Sequence, residues 1–119
     1  MGNGRLDNGE WLLVGQSIFS EDGTVELRMQ DDGKLCVYYD DECQWQNTPE
    51  QRWDIHGVIM QADGNFVMYD NSGTGTATWH TDTAGPTGDD TTFVSVQDDG
   101  NIVLYKNEDE PIWATSSNK

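Results

Sequence analysis

Apolar and polar residues alternate along three stretches of the chain, Leu27 to Tyr38, Val58 to Tyr69 and Val94 to Tyr105. Each stretch is broken near its middle by Asp-Gly. Period-two alternation marks a strand with one buried face, and a break at Asp-Gly marks a turn. Each stretch therefore predicts a hairpin. A two-residue loop at Asp32-Gly33 would set Gln30 opposite Leu35 and mix polar with apolar residues on one face. A three-residue loop, Asp31-Asp32-Gly33, avoids this. Gly33 then takes the left-handed position of a type I turn with a G1 bulge, residue 29 opposes 35, and residue 30 opposes 34. One face now carries Leu27, Met29, Leu35 and Val37. In the second hairpin it carries Val58, Met60, Phe66 and Met68, and in the third Val94, Val96, Ile102 and Leu104. All twelve are apolar, and a slip of one residue would turn the whole set toward water.

A single hairpin cannot bury such a face alone. Three hairpins around a shared centre can, which predicts an all-β domain with pseudo-threefold symmetry. Each stretch is followed by a tryptophan, Trp45, Trp79 and Trp113, at equal spacings of 34 residues. These read as wedges in the core. Trp11 and Trp53 fall outside the repeat and also read as packing residues. The segment from Ala84 to Thr91 reads as a loop. The repeats run over approximately 12–48, 53–83 and 91–117, within one domain of 1–119.

Composition adds limits. Apolar residues are 34% of the chain, or about 45% with its 13 glycines, which is ordinary for a globular protein. The net charge of −16 repels phosphate and anionic surfaces, so neither nucleic acid nor membrane is an expected partner. No run approaches the roughly 20 apolar residues needed to cross a bilayer. Met1 to Asp7 lacks the apolar stretch of a signal peptide. On this reading the chain is cytoplasmic or leaves the cell without a leader, unless it is part of a longer one.

The polar faces carry the candidate chemistry. The spacing Gln-x-Asp-x-Asn-x-Val-x-Tyr would stretch over about 26 Å in a straight strand, but folding at Asp-Gly brings the five side chains to one patch. Two amides, a carboxylate and a phenol offer both donors and acceptors, and the valine offers an apolar contact. Such a patch suits a polyol. The pattern is intact at Gln61, Asp63, Asn65, Val67 and Tyr69, and again at Gln97, Asp99, Asn101, Val103 and Tyr105.

This string resembles the signature of the bulb-type (monocot) mannose-binding lectins. Asn8 to Leu12 and Pro111 to Thr115 look like that family's opening and closing strands. The resemblance implies a β-prism II fold, three four-stranded antiparallel sheets about a pseudo-threefold axis. It implies that Asp and Asn hold the axial O2 of mannose, Gln holds O3, Tyr holds O4 and Val packs on C3 and C4. It further implies mannose-type glycans or glycoproteins as partners, several shallow pockets acting together, and a homodimer, often formed by exchanging the closing strand around Ile112 to Ser116. It implies no cofactor, no metal and no catalysis.

The first copy departs from the signature. Gln30, Asp32 and Tyr38 remain, but Lys34 replaces Asn and Cys36 replaces Val. Lys has no acceptor and can fill the pocket itself or pair with Asp32. This degenerate site of the first copy is expected to be weak or dead for mannose. If Trp45 faces the core, parity puts Cys43 on that same face while Cys36 points to the pocket. That disfavours a disulfide between them unless a bulge intervenes, so the pairing stays open.

Three other readings compete. A calcium-binding acidic β-domain would explain the Asp-rich loops, but no copy has the alternate ligands and closing Glu of an EF-hand. A glycosidase needs two carboxylates across one bond, and each patch has one. A non-sugar interaction or defence protein retaining the lectin fold is the third.

Overall fold

The structure is a computed structural model that describes residues 4–48, 50–72 and 75–118. Its strands, in chain order, are β1 (Arg5–Leu6), β2 (Trp11–Leu13), β3 (Ser17–Phe19), β4 (Glu26–Met29), β5 (Leu35–Tyr39), β6 (Glu42–Gln46), β7 (Ile55–Met60), β8 (Phe66–Asp70), β9 (Ala77–His80), β10 (Phe93–Val96), β11 (Ile102–Lys106) and β12 (Glu110–Ala114). They form three four-stranded antiparallel sheets with strand orders β1-β10-β11-β12, β2-β7-β8-β9 and β3-β4-β5-β6. This is the β-prism II arrangement.

The hairpin register is the three-residue-loop one. Met29 pairs with Leu35, Met60 with Phe66 and Val96 with Ile102. Beyond each pair the backbone N–H of Gln30, Gln61 or Gln97 donates across the loop at 2.9–3.0 Å. Gly33, Gly64 and Gly100 close the loops at φ 84°, 91° and 94°, a region side chains disfavour. Gly64 is doubly constrained, because a Cβ there would lie 2.4 Å from Gly88 Cα.

All twelve apolar residues of the alternating pattern are in the core, none more than 3% exposed. Trp45, Trp79 and Trp113 form a triangle packed against it, with ring centroids 5.9–6.1 Å apart and steep interplanar angles. Edge-to-face pairs like these contribute about 0.5–1.5 kcal/mol each beyond burial.

The fourth strand of every sheet comes from the first twenty residues. β1, β2 and β3 follow one another along the chain, yet each pairs with a different hairpin. Leu6, Leu12 and Ile18, six residues apart, turn inward from them, at 5%, 1% and 1% exposure. This segment therefore ties the three sheets into one core.

Two expectations are corrected. Trp53 does not pack inside but stands on the surface, 73% exposed. Trp11 is 38% exposed and lies on the outer face of its sheet, edge-on to His56. It stays outside because its strand neighbour Leu12 already faces the core.

The parity argument for Cys43 also fails. Val37 pairs with Trp45 but Tyr38 pairs with Cys43, so Gln44 is an extra residue in a bulge. The same bulge recurs after Met68 and Leu104. It flips the parity of the third strand, so Cys43 joins Cys36 on the outer face and not Trp45 on the inner one. Both thiols are free, Cys36 buried and Cys43 exposed. The Cys43 thiol donates to Trp45 O at 3.3 Å.

Candidate functional site

Each hairpin presents its signature residues on the outer face, and each candidate side chain is tied to the protein at one end. In the second hairpin, Asp63 Oδ1 accepts the Asn65 backbone N–H at 2.9 Å. In the third, Asp99 Oδ1 accepts that of Asn101 at 2.9 Å. This is the local carboxylate-to-backbone bond that Asp makes in turns, and it leaves Oδ2 facing solvent. Both aspartates are exposed.

The asparagines are anchored from the third strand and its extension. Asn101 Oδ1 accepts from Thr115 Oγ1 at 3.1 Å and from the Ser117 N–H at 3.4 Å. Asn65 Oδ1 accepts from Thr81 Oγ1 at 3.3 Å and the Thr83 N–H at 3.2 Å. The hydroxyl pairs in turn reach back to the hairpin: Thr83 donates to Gly64 O and Ser117 to Gly100 O. With each carbonyl oxygen held inward, each amide nitrogen must point outward. Gln97 Nε2 donates to Tyr105 Oη at 2.8 Å, and Gln61 donates to Tyr69 in the same way. That bond leaves the phenol its own proton, and the glutamine its oxygen and second N–H.

The result is a pocket of half-satisfied groups: one carboxylate oxygen, one outward amide, one amide–phenol pair. Their free valences are held before any ligand arrives. Val67 and Val103 lie beneath them and are 3% and 4% exposed, so the apolar contact they offer is the floor and not a raised bump.

The two intact patches are not identical. Val67 pairs with His80, whereas Val103 pairs with Ala114. His80 Nδ1 sits 3.1 Å from Asn65 Nδ2 and occupies one of that amide's two protons. Asn101 keeps both.

The first hairpin keeps the turn and loses the opening. Asp32 Oδ1 accepts the Lys34 N–H at 3.2 Å, like its counterparts, but Oδ2 accepts from Gln51 Nε2 at 3.1 Å. Of the two roles open to Lys34, the pair with Asp32 is not among the ion pairs of the described residues. Gln51, nineteen residues away, takes that carboxylate instead. Gln30 donates to Tyr38 as in the other copies. With no Asn at position 34, Asn47 Oδ1 accepts the Leu35 N–H at 2.9 Å, the role Thr81 and Thr115 play for Phe66 and Ile102. Cys36 is 1% exposed, and that burial, with Cys43 close by, pushes its thiol up to about 12.

The sequence signature located fifteen side chains but missed their supports. Those had a signal: Thr81 and Thr83 follow Trp79 at two and four residues, as Thr115 and Ser117 follow Trp113. Gln51 had none, since it lies outside every repeat. Among the described residues no group of three or more His, Cys, Asp or Glu side chains is placed to hold a metal ion.

Comparison with known proteins agrees with this geometry. No family model matches the sequence. The chain is 34% identical over 120 residues to the B-type lectin plumieribetin of Scorpaena plumieri, covering 96% of each. Among solved structures it is similar to the monomeric monocot mannose-binding lectins of Gastrodia elata, with a TM-score of 0.83, 30% identity and coverage of 98% and 100%. It is also similar to the mannose-specific agglutinin of snowdrop (Galanthus nivalis) bulbs complexed with methyl α-D-mannoside, with a TM-score of 0.73, 27% identity and coverage of 98% and 99%. These relatives are lectins, which bind carbohydrate without transforming it. On the strength of its three sheets, its repeated signature and these relatives, the chain belongs to the bulb-type, or B-type, lectin family.

Proposed function

We propose that this protein binds mannose or mannose-containing glycans through the pockets of its second and third hairpins, and that the first hairpin is inactive. The observation that carries this reading is the contrast in how the three carboxylates are engaged. Asp63 and Asp99 each keep an oxygen facing solvent, while both oxygens of Asp32 are taken by Lys34 and Gln51. In the active pockets, Asp63 with Asn65, and Asp99 with Asn101, take the axial O2. Gln61 and Gln97 take O3, Tyr69 and Tyr105 take O4, and the ring rests over Val67 or Val103. The bound sugar is not transformed, because each pocket supplies one signature carboxylate and glycoside cleavage needs two.

A shallow pocket of this kind binds one monosaccharide at roughly millimolar strength, about 4 kcal/mol. Useful affinity then comes from two pockets on one chain engaging a branched glycan or glycoprotein together. Pairing into a homodimer would raise the valency further, although the two pockets of one chain already suffice.

Calorimetric titration with methyl α-mannoside tests the reading. The wild type is expected to release heat with two sites per chain. D63N and D99N each remove one site, and D32N leaves the titration unchanged. A flat trace at tens of millimolar sugar overturns the reading. Equal losses from all three variants overturn the inactive first hairpin.

A further inference from the structure

We propose that the second hairpin carries an added aromatic subsite, built on Trp11, that takes a second pyranose ring of a mannose-type oligosaccharide. The proposal rests on the sugar-binding reading above and deepens it. A groove of about 650 Å³ lies on the outer face of this sheet, and Gln61 and Tyr69 line it together with Trp11, His56 and Ile59. Gln61 and Tyr69 are also the far wall of the candidate mannose pocket. The groove therefore continues that pocket on the side away from Asp63.

This sheet differs from the other two at the residue beside the signature tyrosine. The residue opposite the signature tyrosine is Glu26 in the first hairpin, Gly57 in the second and Phe93 in the third. Gly57 puts no side chain beside Tyr69, and a Cβ there would lie 2.5 Å from Leu12 O of the paired strand β2, so no larger residue fits. The Trp11 indole, across from Ile59, lies 6.1 Å from Tyr69 and 4.9 Å from His56 between ring centroids. Comparable grooves lie on the other two sheets, about 550 Å³ beside Glu26, Arg28 and Tyr38 and about 650 Å³ beside Arg5 and Phe93, but there the chain lays an arginine over the aromatic ring. In the third, Phe93 stacks on Tyr105 and the Arg5 guanidinium covers Phe93 at 3.7 Å. In the first, Arg28, paired with Glu26, lies over Tyr38.

Among the described residues no such cation covers Trp11, which is 38% exposed. An uncovered indole beside hydrogen-bonding groups suits a pyranose, which has an apolar C–H face and a polar rim. Covering a few tens of Å² of indole corresponds to about a fivefold gain in affinity.

The test uses the D99N chain, which leaves the second pocket as the reporter. Methyl α-mannoside and α-linked mannobiosides of (1→2), (1→3) and (1→6) linkage are titrated in parallel. At least one mannobioside is expected to bind about fivefold more tightly than the monosaccharide. W11A abolishes that gain and leaves methyl α-mannoside binding unchanged. W11L, which keeps the edge-strand packing but has no aromatic face, behaves the same way and covers the case in which W11A fails to fold. A gain that survives in W11L, or the absence of a gain with all three linkages, overturns the subsite alone. No binding of methyl α-mannoside to wild type overturns the sugar reading and the subsite with it.

Discussion

Replacing Thr115 by valine removes the hydroxyl that joins the third pocket to the core. Thr115 is 9% exposed, and its Oγ1 accepts the buried Ile102 N–H at 3.1 Å. Ser117 gives its own proton to Gly100 O, so the Thr115 proton is shared between Asn101 Oδ1 at 3.1 Å and Ser117 Oγ at 2.6 Å. Valine has the same shape and none of these bonds. It leaves the Ile102 N–H buried without a partner, at a cost of about 1–3 kcal/mol. With an unfolding entropy of about 2.1 cal/mol/K per residue, a chain of 119 residues loses roughly 4 °C of Tm per kcal/mol. T115V is therefore expected to melt about 4–12 °C below wild type. The Asn101 amide also loses its main anchor, so the third pocket should weaken selectively while the second keeps its affinity. T81V, which strands the Phe66 N–H, is the mirror experiment and should spare the third pocket. Thermal unfolding followed by circular dichroism gives the first number, and calorimetry gives the second. A Tm within about 1 °C of wild type would refute the claim that this hydroxyl satisfies a buried donor.

Other outcomes follow from the thiols and carboxylates. Iodoacetamide at pH 8 should alkylate Cys43 and spare Cys36, because burial holds Cys36 protonated until about pH 12; peptide mapping of modified Cys36 in folded protein would contradict this. Because the Cys36 value lies above its ordinary 9.0, its contribution to stability is intact below pH 9 and fades as pH rises from there toward 12. C36V should flatten that alkaline limb of urea-unfolding stability. Asp22 runs the other way: hydrogen bonds from Thr24 and Ser20 lower it from 3.8 to about 2, so its contribution is present above about pH 4 and lost as pH falls through 2. D22N should reduce the slope of stability between those values, and an unchanged acid limb would count against these hydrogen bonds holding the carboxylate ionised.

Much of the fold was legible because one pattern repeats. The three-residue loop follows from asking which register keeps Leu27, Met29, Leu35 and Val37 on one face, and three copies give the same answer. The equal spacing of Trp45, Trp79 and Trp113 likewise foreshadows their triangle. The donation of β1, β2 and β3 to three different sheets was not legible. Strands of two or three residues are too short to show a period, and their partners lie as far away as Ser95. The bulge at Gln44 was hidden for a related reason, since one extra residue reverses parity without any composition of its own. Trp53 shows the limit of reading a large apolar residue as core by default. At the candidate sites the signature located the side chains, but the state of Asp32 depended on Gln51, which reaches it only through the folded chain.

The central claim is that the second and third hairpins bind mannose and the first does not. A crystal structure of the protein soaked in methyl α-mannoside tests this most directly. The account predicts sugar at Asp63, Asn65 and Tyr69 and at Asp99, Asn101 and Tyr105, with none at Asp32. Sugar bound at Asp32, or absent from either of the other two hairpins, would contradict it.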